Sequence, residues 1–180
     1  LARRLVEKNG VTVFAEALTK LAESGLKFRA IFAGDGDERG AVTQILTRGK
    51  ALDSTVFLGN VMNENMPAIY RSADISVLPS FMEATSITGL ESMACGLPLV
   101  GTRVGGIPVL IDDETTGLLV EPGDPDELAK AIHRLAADAE LRRGMGERAR
   151  QRAAEMFSWD RIASETVDIY EQCSERRATA

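Results

Sequence analysis

An α/β fold, a doubly wound parallel sheet with helices on both faces, is what this sequence predicts. Three observations point to it. Short apolar runs bounded by glycine turns alternate with longer segments of helical periodicity, the pattern of successive βα units. The apolar runs read as strands buried on both faces. The polar residues with chemical potential gather where one strand becomes a helix, between Pro79 and Glu91, and open α/β sheets bind ligands at that edge.

In chain order, Leu1-Ala2 reads as the tail of a strand, and Arg3 to Gly10 as a basic turn. Phe14, Ala17, Leu18 and Leu21 fall at helical spacing, and Ser24-Gly25 closes that helix. Phe28 to Ala33 is a strand, Gly34-Asp35-Gly36-Asp37 a tight turn. The following helix has Val42, Ile45 and Leu46 on its buried side and Asp37 as its cap. Val56-Phe57-Leu58 is a strand ended by Gly59-Asn60. Asn63 to Arg71 is a short helix with Met66, Ile69 and Tyr70 inward and Pro67 in its first turn. Ile75 to Leu78 is the strand leading into the polar junction, a helix carries Glu91, Gly96 ends it, and Leu99-Val100 begins the next strand. A glycine-rich loop, Thr102 to Pro108, and a helical piece around Val109 to Ile111 follow, then the strand Gly117 to Val120. Asp124 caps the next helix with Pro125 at its first position, and Leu128, Ala131, Ile132 and Leu135 share one face. Arg142 to Met156 reads as a charged, mostly exposed helix. Ser158 caps a last one, spanning 158–174, that carries Trp159, Ile162, Ala163, Thr166 and Tyr170. With no internal repeat and no linker, residues 1–180 read as one domain.

The bulk numbers narrow the function. At 180 residues the chain can bury a substantial core, and 44% apolar with 27% charged residues is ordinary for a globular protein. A net charge of -6 argues against general nucleic-acid binding, which needs Lys and Arg against phosphates. Two distant cysteines, Cys95 and Cys173, suggest no disulfide framework and fit a reducing, cytoplasmic compartment. No apolar run approaches the roughly 20 residues that span a bilayer. The first residue is not Met, from which a longer parent polypeptide is expected.

Glu83 and Glu91 lie eight positions apart, with Thr85, Ser86 and Thr88 among the residues between. Glu83 falls in a loop and Glu91 in the helix, and both can converge on one ligand. Carboxylates only accept, which suits sugar hydroxyls. The amides of Ile87 and Thr88, near the helix N-terminus, are unsatisfied donors beside a positive dipole end and suit a phosphate. Spacing alone leaves it open that Glu83 is a surface loop charge and Glu91 a solvated helix residue. Arg3, Arg4 and Lys8 could clamp a diphosphate, or form a solvated loop. Gly34 and Gly36 would let backbone approach a ligand closely, but Gly40 comes one residue late for the dinucleotide fingerprint. Asp35 and Asp37 lack further metal ligands around them. His133, beside an apolar helical stripe, and Cys95, at an apolar helix end, read as structural.

In this order the residues resemble the C-terminal domain of the retaining glycosyltransferases of family 4, or group 1, which have the GT-B fold. The pieces that carry the resemblance are Arg4 to Gly10, Ala33 to Gly36, Phe57 to Val61, Tyr70 to Asp74, Pro79-Ser80 with the Glu83–Glu91 pair, Ser92 to Pro98, Gly105 to Pro108, Gly117 to Val120 and Phe157-Ser158-Trp159. They are collinear and cover nearly the whole chain. The resemblance implies a Rossmann-like half of a GT-B enzyme with a truncated first strand. It also implies a substrate, a UDP-, GDP- or ADP-linked sugar, with no cofactor and no metal. Glu91 would accept from the ribose hydroxyls and Glu83 from the donor sugar. Ser86, Ile87 and Thr88 would meet the diphosphate, Gly34 and Gly36 would line the site, and backbone at Asn60 and Val61 would meet the base. Arg4 and Lys8 would neutralise charge on the leaving nucleotide.

Two places depart from the family pattern. Asn9 stands where the family usually has Lys, and Thr85-Ser86 where it commonly has Phe-Gly. The resemblance further implies that an N-terminal acceptor-binding domain is the partner, that the terminal helix crosses to it, and that the chain alone transfers nothing. Any membrane association, at the cytoplasmic face, would come through the parent. The other readings are a nucleotide-sugar epimerase of the same fold, a dinucleotide-dependent oxidoreductase domain, and a non-catalytic interaction module.

Overall fold

A computed structural model describes residues 1–178. Its strands are β1 (Ala30–Ala33), β2 (Thr55–Gly59), β3 (Ser76–Leu78), β4 (Leu99–Thr102) and β5 (Gly117–Val120). All their pairings are parallel. They form a sheet of β1 with β2 and a sheet in the order β3-β4-β5, with Ile31 opposite Val56, Val77 opposite Val100 and Val100 opposite Leu118. The α-helices are α1 (Val11–Glu23), α2 (Arg39–Arg48), α3 (Met66–Arg71), α4 (Ile87–Ala94), α5 (Ile107–Leu110), α6 (Pro125–Ala137), α7 (Ala139–Met156) and α8 (Trp159–Ala178). None of the described helices is long and apolar enough to cross a membrane.

Strand residues alternate between two cores, as the pleat requires. Val77, Val100 and Leu118 enter the larger core with Phe14, Leu18 and Leu21 of α1, Val42 and Leu46 of α2, and Leu128, Ile132 and Leu135 of α6. Leu78, Leu99 and Leu119 enter the other with Met93 of α4, Ile107 and Leu110 of α5, and Ala149 and Ala153 of α7. Both faces of the sheet are therefore covered, as the alternating pattern predicts.

Three local expectations change. The strand predicted from Phe28 begins only at Ala30; Phe28 packs against the larger core from outside the ladder. Asp37 does not cap α2, whose cap position is Glu38, in helical conformation and without a side-chain bond. Asp35 is the acid engaged at that turn, accepting from Gly36 N at 2.9 Å and from Arg39 at 3.1 Å. Helix α7 starts before Arg142, because Asp138 accepts from the amides of Glu140 and Leu141. It also buries a face through Met145, Gly146, Ala149 and Ala153. Gly146 is needed there: a Cβ would stand 2.1 Å from the Gly96 carbonyl oxygen at the end of α4. Asp124 caps α6 as expected, accepting from Asp126 N and Glu127 N, both at 2.9 Å.

Between β1 and β3 the ladder is interrupted. Ala2 makes a parallel bridge to Ala33, with Ala33 N donating to Leu1 O at 3.0 Å and Arg3 N to Ala33 O at 2.9 Å, so Leu1-Ala2 does behave as a strand end. Beside it lies a slot of about 370 Å³, bordered by Leu1, Phe28, Ile31, Ile75, Val77 and Ile132. Helix α8 presents Trp159, Val167, Ile169 and Tyr170 to solvent, Trp159 at 79% exposure.

Candidate functional site

The polar junction is built on the C-terminal end of β3. Its loop is tied on two sides. The amides of Phe81 and Met82 donate to Lys8 O at 2.9 and 3.3 Å, joining it to the turn of residues 3–10. Gly106 N donates to Glu83 O at 3.1 Å, joining it to the loop after β4, and Thr102 Oγ1 donates to Ser80 O at 2.7 Å. Glycines make these approaches possible. A Cβ at Gly10 would stand 1.8 Å from Pro79 O, and one at Gly105 would stand 1.6 Å from Glu83 O; both residues have positive φ, 63° and 50°. The glycine-rich segment after β4 therefore braces the Glu83 loop.

Ser86 caps α4. Its Oγ accepts from Gly89 N at 3.2 Å and lies 3.2 Å from Thr88 Oγ1, and the residue is buried. The hydroxyl is thus engaged within the chain. The first-turn amides of Ile87 and Thr88 have no intrahelical partner, so they remain donors at the positive end of the helix dipole. Ile87 is exposed.

Glu91, half-buried one turn further along, accepts from Tyr70 Oη at 3.0 Å through Oε2. Burial, and then the neighbouring Glu91 charge, push the Tyr70 phenol well above its ordinary value, so Tyr70 stays a donor. Among the described residues Oε1 of Glu91 has no partner. Val61 belongs to the same small apolar cluster as Met66, Tyr70 and Leu97, and Asn60 beside it is exposed. The segment nominated for the base and the carboxylate nominated for the ribose thus meet at Tyr70.

Glu83 is half-buried, and Arg3 donates to its Oε2 and to the Ser80 hydroxyl. Arg4 and Lys8 are exposed, and among the described residues their side chains have no hydrogen-bond or ion-pair partner. Asn9 is buried, its side-chain amide donating to Arg4 O at 2.8 Å, so it locks the turn from within. Gly34 and Gly36 admit the chain's own backbone: a Cβ there would stand 2.1 Å from Arg3 O and 2.4 Å from Leu5 O. His133 is exposed on α6, and Cys95 is half-buried at the edge of the Tyr70 cluster. No group of three His, Cys, Asp or Glu poised for a metal is found among the described residues.

Sequence reading passes over Tyr70, whose helical spacing marks only an inward aromatic; the signal is that a buried phenol needs a partner. It also leaves Arg3 undistinguished from Arg4, because an Arg-Arg doublet does not tell which side chain turns inward.

The family model described as glycosyl transferases group 1 matches residues 1–152. A glycosyltransferase of Methanocaldococcus jannaschii is 34% identical over 167 residues, which are 93% of this chain and 43% of that protein. The N-acetyl-alpha-D-glucosaminyl L-malate synthase of Bacillus anthracis is 36% identical over 160 residues, 89% of this chain and 40% of that protein. The chain spans less than half the length of these curated relatives. Sucrose-phosphate synthase from Thermosynechococcus elongatus superposes with a TM-score of 0.87 at 28% identity, over 96% of this chain and 44% of that one. Anabaena HepE, solved in complex with UDP, shares the fold with a TM-score of 0.80 at 24% identity, over 99% of this chain and 48% of that one.

Proposed function

This chain belongs to the group 1 glycosyl transferases, and on that premise we propose that it is the donor-binding half of an enzyme that moves a sugar from a nucleoside diphosphate to an acceptor with retention. The observation that carries the proposal is the junction after β3. Two carboxylates flank a helix N-terminus whose first amides have no intrahelical partner, and two exposed cations, without a side-chain partner among the described residues, stand on the adjoining turn. A nucleotide sugar presents complementary groups in the same sequence: ribose, diphosphate, hexose.

In this reading Glu91 accepts from the ribose hydroxyls while Tyr70 orients it. The amides of Ile87 and Thr88 hold the diphosphate. Glu83 accepts from hydroxyls of the donor sugar, and backbone at Asn60-Val61 lies against the base. Arg4 and Lys8 stabilise charge that builds on the leaving diphosphate as the glycosidic bond breaks; preplaced cations are most effective where charge develops. Acceptor binding falls to the other half of the enzyme, so this chain alone binds donor and transfers nothing. Family membership sets aside the dinucleotide-dependent oxidoreductase reading. UDP is the first probe, since HepE was solved with it.

Titration of the chain with UDP, GDP and ADP, followed by amide NMR, is the direct test. Shifts confined to residues 60–61, 83–91 and the Arg4–Lys8 turn support the proposal. Silence from all three at millimolar concentration removes it. In the full-length parent, Glu91→Gln weakens donor binding about tenfold, as expected for a charge-assisted hydrogen bond made neutral.

A further inference from the structure

Arg3 sits in this junction with its side chain only 10% exposed, and the Glu83 side chain it meets is 13% exposed. One terminal nitrogen donates to the Ser80 hydroxyl and the other to Glu83 Oε2. Ser80 is fully buried. Both ends of the pair stand on fixed backbone. Arg3 N donates to Ala33 O at 2.9 Å, and Arg3 O abuts Gly34 so closely that no Cβ fits. Glu83 O accepts from Gly106 N at 3.1 Å. The Arg3 Nε–H is buried and, among the described residues, has no partner.

Stability alone is a poor account of this arrangement. Desolvation offsets much of what a buried ion pair gains, and an orphan donor adds to that penalty. What the pair does achieve is a carboxylate held in one direction with one of its two oxygens taken. We propose that Arg3 is a positioning and specificity-determining residue for the donor sugar: it holds Glu83 by Oε2 and leaves Oε1 as the single acceptor offered to the hexose.

The inference rests on the donor-site reading and deepens it. A free carboxylate rotates and accepts two adjacent hydroxyls side by side. A carboxylate fixed by a guanidinium selects for one hydroxyl at one position and configuration. Discrimination is then sharper than an unclamped Glu83 allows, because a sugar whose hydroxyl points away leaves a preoriented acceptor unpaired. Arg3 is committed to Glu83 and Ser80, whereas Arg4 and Lys8 are free for phosphate, so its effect belongs to the sugar and not to the diphosphate.

Calorimetry on the chain with UDP, UDP-glucose and UDP-galactose tests this, with GDP and GDP-mannose or ADP and ADP-glucose as the probes if those bases bind instead. Arg3→Ala changes the ratio of diphosphate to nucleotide-sugar Kd by at least about fivefold and narrows the preference between sugars, while the diphosphate Kd stays within about twofold. Arg3→Lys, which keeps the charge but not the planar fork, gives an intermediate ratio. If Arg3→Ala melts out, Ser80→Ala, which frees the guanidinium from its second anchor, shifts the ratio in the same direction. Equal weakening of diphosphate and nucleotide sugar would assign Arg3 to the phosphates and overturn the inference. So would an unchanged ratio in a folded variant. Absence of any diphosphate binding by the unaltered chain is the separate result that defeats the donor-site reading itself.

Discussion

Tyr70 and Glu91 show how much can depend on a single buried hydroxyl. The raised phenol means that the folded chain holds this proton more tightly than the unfolded chain does, whose tyrosine titrates near 10.0. The folded state therefore binds more protons above that pH, and stability falls as pH rises past about 10, with no Tyr70-dependent slope below it. Tyr70→Phe removes the bond to Glu91 at a cost of about 1–2 kcal/mol and flattens that alkaline slope; denaturant melts at pH 8 and pH 11 read both effects. On the donor-site proposal the same variant weakens nucleotide binding about fivefold, because Glu91 loses its orientation. At this scale the sequence is half legible. Glu83 and Glu91 announce themselves as polar residues at a strand-to-helix edge, since nothing in a core explains them there. Asn9 does not reveal whether it faces a ligand or its own turn, because either use needs the same amide; the fold turns it onto Arg4 O.

Elements were legible where a cap or a periodic stripe fixes them, as with Asp124 before α6. They were misread where tertiary contact decides. Charged residues crowd α7, so its sequence looks solvated all round, yet a narrow face of Met145, Gly146, Ala149 and Ala153 is buried. The segment after β4 reads as a glycine-rich loop with no visible duty, and its duty is to brace the Glu83 loop from behind. Gly105→Ala meets both the left-handed backbone and the Glu83 carbonyl, so the Glu83 loop must shift. On the donor-site proposal, donor affinity then falls more than about tenfold by calorimetry, while Tm drops only a few degrees, about 2–4 °C per kcal/mol for a chain of this size. Gly25→Ala is the control. It has the same handedness problem, φ 81°, with nothing within 4 Å, so it loses about 1 kcal/mol and leaves binding unchanged.

Across the whole molecule, the alternation of strands and helices announces two covered faces, and the two cores confirm it. Which strands neighbour one another is not written in that alternation, and the interruption between β1 and β3 is visible only in the fold. Leu1 sits at that interruption, its backbone nitrogen donating to Ile31 O at 3.0 Å. The slot beside Leu1 also divides the molecule in time. Among the described residues, strands β1 and β2 with α1 and α2 share no strand ladder with β3, β4 and β5, and what joins the halves is side-chain packing, above all α1 against α6, with the backbone bonds of Phe81 and Met82 to Lys8 O. Two such bodies open separately more readily than one continuous sheet does. Native-state hydrogen exchange should then resolve two protection free energies, with the Arg3–Glu83 pair bridging from one body to the other.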